Sequence, residues 1–152
     1  MTTATTTRYL LTGAADIDVT GSEPVVVTDR HSTPCRRCLR DAEPGERVHL
    51  VSYDPFVTDS PYRSASPVFV HADPCAVYAG HAIPEQQRRR LLSVRAFDGE
   101  AMMRDAEVVD GIGLADALDR LFADSATAFV HVHNAGPGCF SVRVTRVGQP
   151  DG

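Results

Sequence analysis

Four residues form two short-range pairs whose side-chain types suit metal binding. Cys35 and Cys38 stand three positions apart in TPCRRC, and His71 and Cys75 stand four positions apart in HADPC. Three thiolates and one neutral imidazole are the donor set of a tetrahedral Cys3His zinc site, and each pair can wrap one side of the ion. The spacing therefore predicts zinc as a cofactor, bound by Cys35, Cys38, His71 and Cys75.

The cysteine pair has two other interpretations. A CxxC motif also occurs in thiol redox proteins, but there it opens a helix after a parallel strand, whereas turn residues surround this one. Buried cysteines without a special role are also common. Zinc is favoured because the second pair supplies the remaining ligands, and a zinc ion closed by four protein ligands would be structural. Arg36, Arg37 and Arg40 are placed to lower the pKa values of the thiols.

The segment HVHNAGPGC holds a second group of reactive residue types. On a strand, His131 and His133 point to the same face as Phe129, and the turn beyond them brings Cys139 to the start of the returning strand. Two imidazoles can bind a metal or serve as acid and base, and a cysteine can act as a nucleophile. His131, His133 and Cys139 are therefore candidate catalytic residues. Alternatively, both histidines lie on a solvent-exposed sheet face and Cys139 packs under the turn.

The hydrophobic pattern predicts mainly strands. Alternating or continuous apolar residues predict strands within residues 8–19, 23–29, 46–56, 66–75, 91–99 and 106–111. Residues 127–147 predict two strands joined by a long loop through a Gly-Pro turn. One amphipathic helix is predicted over residues 113–124, because Leu114, Leu118, Leu121 and Phe122 recur at helical spacing.

These elements predict an α+β fold in a single domain that spans residues 1–152. We expect a mostly antiparallel sheet, one main amphipathic helix and a zinc-knuckle-like CxxC turn. The helix should pack against Val130, Val132, Val142 and Val144. A chain of 152 residues that is 43% hydrophobic is long enough for one ordinary core. Residues 1–7 and 148–152 are expected to be flexible tails.

Composition excludes several classes of function. All fifteen basic residues are Arg, so neither a Walker phosphate loop nor a lysine-bound pyridoxal phosphate is possible. The segment DGIGLAD lacks the third glycine of the dinucleotide fingerprint. A net charge of -5 argues against nucleic acid as a partner. No apolar run has the length of a secretory signal or a membrane span, so we expect a soluble cytoplasmic protein whose thiols stay reduced.

Several motifs, taken in order, resemble a known family. They are PCRRCLRDAEPGE, SYDPF, SPVFVHADPC, RAFD and GCF. The chain is similar over residues 35–147 to the bacterial domain-of-unknown-function family numbered 1203, whose members are single domains of about this length. The resemblance implies a small soluble bacterial protein, and it transfers neither an activity nor a catalytic residue.

Two classes of function are consistent with these features. The favoured one is a zinc-stabilised binding or regulatory module whose loops bind a protein or a small anionic ligand. Arg88, Arg89 and Arg90 are candidate contacts for such an anion. The second is a small enzyme that acts on a small molecule through His131, His133 and Cys139, or through an incompletely ligated zinc. The sequence leaves both the enzymatic status and the oligomeric state open.

Overall fold

Two antiparallel sheets make up most of the protein. The computed structural model describes residues 6–147. The strands are β1 (Thr6–Thr12), β2 (Val25–Val26), β3 (Arg47–Tyr53), β4 (Ser66–His71), β5 (Ala79–Ala82), β6 (Leu91–Phe97), β7 (Met103–Asp110), β8 (Phe129–Asn134) and β9 (Phe140–Arg146). The helices are α1 (Glu85–Arg88) and α2 (Leu114–Phe122), with a 3-10 turn at Gly111–Gly113 before α2. The larger sheet has six strands in the order β5-β1-β9-β8-β6-β7, and the smaller sheet has the order β2-β3-β4.

The β8–β9 hairpin lies at the centre of the six-stranded sheet. Val130 faces Val144 and Val132 faces Val142 across the hairpin, and all four side chains are fully buried. Successive side chains of a strand point to opposite faces, so these valines occupy one face and the residues between them occupy the other. The alternating sequence thus gives the sheet two apolar faces, each of which needs a covering layer.

Helix α2 covers the valine face of the six-stranded sheet. Its buried side chains are Leu114, Ala117, Leu118, Leu121 and Phe122. They share one core with Val130, Val132, Val142 and Val144. The structure has a helix within the predicted residues 113–124, and its packing against these valines is confirmed, but it is one of two short helices and not the main helix of an α+β fold.

The predicted α+β class is wrong. The protein is mostly β, with 40% strand, 11% helix and two short helices in its described part. The helical periodicity holds for only the nine residues of α2. Much of the remaining chain forms a second sheet, not a further helical layer. The short strand β5, with the sequence AGHA, carries no apolar alternation and was missed.

The three-stranded sheet positions His71. Strands β3 and β4 pair in continuous register from Val48 opposite His71 to Tyr53 opposite Ser66. Val68 and Val70 are fully buried. His71 therefore ends a firmly paired strand, which fixes where its ring can lie.

The predicted tails fall largely outside the described residues. Residues 1–5 and 148–152 are not described, and Thr6–Thr12 forms β1. Among residues 6–147 no helix has the length and apolar character needed to cross a membrane.

Leu118→Ala should strongly destabilise the protein, because Leu118 is fully buried between α2 and the sheet. We expect a loss of about 2–5 kcal/mol in the free energy of unfolding, measured by urea denaturation at pH 7.5. Val108→Ala is the control, since Val108 is 65% exposed, and it should change stability by less than about 1 kcal/mol. Equal losses in both variants would contradict the described core.

Candidate metal centre

The two predicted ligand pairs meet in one cluster. One ligand atom from each of Cys35, Cys38, His71 and Cys75 lies within 4.8 Å of all the others. The Sγ atoms of Cys35 and Cys75 are 3.8 Å apart, and Cys38 Sγ is 3.5 Å from His71 Nδ1. All four cysteines of the chain are free, and the distance between the sulfurs of Cys35 and Cys75 is far above the roughly 2.05 Å of a disulfide bond.

These separations fit a tetrahedral zinc ion. With Zn–S bonds of about 2.3 Å and a Zn–N bond of about 2.0–2.1 Å, the edges of a tetrahedron are about 3.8 Å between two sulfurs and about 3.5 Å between sulfur and nitrogen. The two observed distances match these edges. The donor set of three sulfurs and one imidazole nitrogen suits zinc and leaves no coordination position for water.

The first cysteine pair lies in a tight turn, residues 35–40, which we call the knuckle. The N–H of Cys35 donates to the carbonyl oxygen of Arg40 at 3.1 Å, which turns the chain back on itself. Leu39 has a φ of 58°, a left-handed conformation that costs a non-glycine residue about 1–2 kcal/mol. Its side chain is 1% exposed and belongs to the main core. Burial of a leucine contributes about 1.5–3 kcal/mol, which offsets that cost.

The knuckle is attached to the smaller sheet. The N–H of Arg36 donates to the carbonyl oxygen of Phe69 in β4 at 3.0 Å, and Cys35 forms a parallel bridge with Phe69. The N–H of His71 points at Cys35 Sγ, 3.4 Å away. These bonds hold the CxxC pair beside the end of β4, where the second ligand pair begins.

The knuckle is also attached to the larger sheet. The N–H of Ala14, just after β1, donates to the Arg36 carbonyl at 2.7 Å, and the N–H of Tyr78 donates to the Arg37 carbonyl at 2.9 Å. The chain approaches so closely that a Cβ at Gly13 would lie 2.1 Å from the Arg37 carbonyl oxygen. Only glycine fits at position 13, and the knuckle is held between the two sheets.

Hydrogen bonds favour a thiolate within the cluster. The Cys38 thiol, together with the N–H groups of Cys38, His71 and Arg37, lowers the pKa of Cys35 to about 4. The same thiol–thiolate hydrogen bond, and then burial, raises the pKa of Cys38. Burial raises the pKa of Cys75 as well. A bound metal ion would displace the remaining thiol protons, so binding would weaken in acid.

Glu46 orients the histidine ligand and was missed in the sequence. Its Oε1 lies 3.1 Å from His71 Nε2. A carboxylate accepts the Nε2–H, which leaves the Nδ1 lone pair directed at the cluster. The backbone N–H of Glu43, and then His71, lower the pKa of Glu46 and keep it ionised. The β3–β4 register would have indicated this contact. Glu46 stands two residues before Val48, which pairs with His71, so Glu46 lies on the same side of the strand as that pair.

The three arginines of the knuckle have different environments. Arg37 Nη1 lies 3.9 Å from Cys75 Sγ, as expected for an arginine that stabilises a thiolate. Arg36 points to the opposite side, where its Nη2 donates to Cys139 Sγ at 3.0 Å. Arg40 contributes its carbonyl to the turn and its charge helps lower the pKa of Glu46. Of these three side chains, that of Arg37 is the one whose hydrogen bond to a cluster sulfur the described structure shows.

One family model matches most of the chain. Residues 32–146 match the family described as protein of unknown function (DUF1203), and this segment contains all four cluster residues. The chain belongs to this family. Searches of curated proteins and of solved structures found no match. The family description assigns no activity, so the chemistry of the site has to be inferred from its residues.

The two candidate histidines are buried within the sheet, not on a solvent-exposed face. His131 is 0% exposed, and neither ring nitrogen has a hydrogen-bond partner among the described residues. Four phenylalanine rings surround it at centroid distances of 4.8–5.4 Å, from Phe56, Phe97, Phe129 and Phe140. His133 is 7% exposed, and its Nδ1–H donates to the Gly138 carbonyl at 2.9 Å.

Burial keeps both histidines neutral. Desolvation, followed by the charge of Arg143, lowers the pKa of His131 to about 3. Desolvation lowers the pKa of His133 to about 4, although the hydrogen bond to Gly138 acts in the opposite direction and raises it. At neutral pH the two rings are therefore uncharged and enclosed by the fold.

Cys139, the third candidate, lies in a cleft of about 590 Å³ between the two sheets. The cleft is lined by His31, Ser32, Pro34, Arg36, Leu50, Pro67, Phe69, Arg90, Leu91, Asn134, Gly136, Pro137 and Cys139. Neither candidate histidine is among these described residues. The structure thus brings Cys139 together with Arg36 and Asn134, whose Nδ2 lies 3.6 Å from Sγ.

The buried His131 should make the protein sensitive to acid. Its pKa of about 3 in the folded state lies below the unfolded value of about 6.5, so its contribution to stability is complete above pH 6.5 and is lost as the pH falls toward 3. Between pH 7 and pH 5 this residue should account for a loss of about 2 kcal/mol.

Urea denaturation of the parent and of His131→Phe at the two pH values tests this expectation. The variant should lose about 2 kcal/mol less than the parent on acidification. Val108→Ala is the control, because Val108 is exposed and has no titratable group, and it should keep the parent pH dependence. An identical acid response in His131→Phe and the parent would disprove the expectation.

Proposed function

We propose that the protein is a zinc-stabilised binding module. Cys35, Cys38, His71 and Cys75 hold one structural zinc ion, and the adjoining cleft binds a ligand. The observation that carries this proposal is the approach of the four ligand atoms to within 4.8 Å of one another, with two separations, Cys35 to Cys75 and Cys38 to His71, that match the edges of a zinc tetrahedron.

A structural role for zinc follows from the position of the cluster. The ion joins the knuckle to the end of β4 and the turn after it, segments that the chain otherwise connects through a long loop between β3 and β4. The unfolded chain has no preformed site, so the free energy of metal binding stabilises the fold. Pro34 and Arg36 also line the cleft. Zinc therefore stabilises one wall of the binding site without contacting the ligand.

Substitution of one of the cluster cysteines by serine should unfold or strongly destabilise the protein. The purified parent is expected to contain about one zinc per chain by metal analysis. Cys35→Ser should lower its melting temperature by roughly 10 °C or more and remove most of the zinc. Cys139→Ser is the matched control, since it makes the same atomic change outside the cluster.

Melts with a strong chelator complete the comparison. The chelator should lower the melting temperature of the parent and of Cys139→Ser, and it should have little further effect on Cys35→Ser. If Cys35→Ser melts like the parent and the chelator changes neither, the cluster is a redox pair or an ordinary turn.

Loss of the Glu46 carboxylate should weaken zinc binding with little effect on the apo fold. Glu46→Gln removes the charge that holds His71 Nε2–H, and such partners typically change metal affinity by about 10–100-fold. Glu43→Gln is the control, because the Glu43 side chain pairs with the exposed Arg30. Zinc affinity is measured by competition with a chromogenic chelator. Equal affinity of Glu46→Gln and Glu43→Gln would show that the carboxylate does not tune the site.

A small enzyme is the second candidate, and the placement of Cys139 favours it. The thiol lines a cleft and receives hydrogen bonds from Arg36 and Asn134, as a nucleophile for a small substrate would. His131 and His133 would then support the site from within the sheet. An enzyme that used the metal would need an open coordination position, for which a water ligand on the bound zinc would be the evidence.

A further inference from the structure

The cleft has an apolar body and a polar end. Its apolar wall is formed by Pro34, Leu50, Pro67, Phe69, Leu91 and Pro137. Arg36, Asn134 and Cys139 contribute polar groups to the same cleft, where Arg36 and Asn134 both contact the sulfur of Cys139. A volume of about 590 Å³ is typical of sites for small molecules, which commonly combine an apolar lining with a few polar anchors.

Arg36 is a buried cation without a carboxylate partner. The residue is only 1% exposed. Its guanidinium donates to the carbonyl oxygens of Phe140 at 2.8 Å and Pro34 at 2.7 Å, and to Cys139 Sγ at 3.0 Å. Within residues 6–147 no carboxylate lies within ion-pairing distance of it. A buried charge is normally paired with an opposite charge, so we expect a negatively charged group to bind beside this arginine.

The second arginine of the cleft is already neutralised. Arg90 Nη1 lies 3.1 Å from a carboxylate oxygen of Asp41, and its remaining bonds go to the carbonyl oxygens of Gln86 and His31. The Asp41 carboxylate also lies 3.4 Å from His31 Nδ1. Unlike Arg90, Arg36 has no carboxylate partner among the described residues, and its acidic neighbours there are thiols, those of Cys139 and Cys35.

A second polar group marks the same end of the cleft. Asn134 is 6% exposed, and its Oδ1 has no hydrogen-bond partner among the described residues. Its Nδ2 faces the sulfur of Cys139. This amide oxygen can only accept a hydrogen bond, so it is a site for a donor group of a ligand, and an anionic group of the same ligand would have to lie at Arg36 instead.

We propose that this cleft binds a small organic monocarboxylate, with its carboxylate at Arg36 and its apolar body along Leu50, Phe69 and Leu91. The inference rests on the proposed function, since it names the ligand class of the binding module. A single negative charge balances the one cleft arginine that lacks a carboxylate partner, whereas a phosphate monoester with nearly two charges would bring excess negative charge into a mostly apolar site. The apolar wall accommodates an aliphatic or aromatic body.

Calorimetric titration of the zinc-loaded, full-length protein with four eight-carbon probes tests the ligand class. Octanoate should bind at least about tenfold more tightly than octanol or octylamine, because a charge-assisted hydrogen bond contributes about that factor. Octyl phosphate should bind more weakly than octanoate. Equal binding of octanol, tighter binding of octyl phosphate, or no binding of octanoate would each overturn the proposal.

Two variants locate the site. Leu50→Glu adds a negative charge to the cleft at a residue that is 51% exposed, so it should fold normally and weaken octanoate binding by about tenfold or more. Val26→Glu is the matched control, because Val26 is 60% exposed and does not line the cleft. Arg36→Met should abolish the preference for octanoate over octanol. If Arg36→Met fails to fold, equal octanoate affinity in Leu50→Glu and Val26→Glu still refutes the site.

Metal analysis of the same samples separates this inference from the proposed function. A folded protein with one zinc that does not bind octanoate refutes the carboxylate site and leaves the metal centre standing. A protein that binds octanoate without zinc refutes the structural metal and retains the ligand class. Slower alkylation of Cys139 by iodoacetamide in the presence of octanoate, read by peptide mass, would confirm that the probe occupies this cleft.

Discussion

The attachment of the knuckle to both sheets is the constraint on which the rest of the structure depends. On one side, residues 35–40 donate a backbone hydrogen bond to β4. On the other side, they accept backbone hydrogen bonds from residues next to β1 and β5. Leu39 anchors the turn in the main core despite its left-handed backbone. A short turn with these contacts cannot shift without disturbing both sheets, so a metal ion bound to it would stabilise the whole fold and not only a loop.

The knuckle connects the candidate metal centre to the cleft because adjacent residues point to opposite sides. Cys35 and Cys38 face the cluster, whereas Arg36 extends to Cys139 and Phe140. The backbone position of Arg36 is set by its hydrogen bond to Phe69, itself a residue of the cleft wall. The order of the four-residue cluster therefore determines where the Arg36 guanidinium lies, and in the proposed module this would link stability to binding.

The buried histidines show how strongly environment determines chemistry. His131 lies among four aromatic rings and close to the charges of Arg95 and Arg143, so its protonated form is disfavoured by both burial and repulsion. His133 contacts the turn before Cys139 through Gly138. Both rings belong to the apolar layer on the face of the larger sheet that is opposite α2. Phe140 connects that layer to the cleft wall, because its ring contacts His131 and its carbonyl oxygen accepts a hydrogen bond from Arg36.

Local features of the sequence were sufficient for much of this picture. The CxxC and HxxxC spacings were sufficient to predict the four-residue cluster, because each pair brings its own two side chains together within a turn. Apolar periodicity determined α2 and most of the strands, since it reports which face of each element is buried. The valine partners of α2 also followed from alternation, because a strand with one covered face can present only every second residue to a helix.

Tertiary structure decided the fold class and the environment of each reactive side chain. How many strands would assemble, and in what order, depends on pairings between distant segments, so β5 and the second sheet were not apparent from local pattern. The contact of Glu46 with His71 depends on the β3–β4 register, and that of Arg36 with Cys139 joins residues about a hundred positions apart. The burial and the pKa of these side chains depend on neighbours that are distant along the chain and meet only in the folded protein. A sequence pattern shows the type of each residue but not which distant residues will surround it.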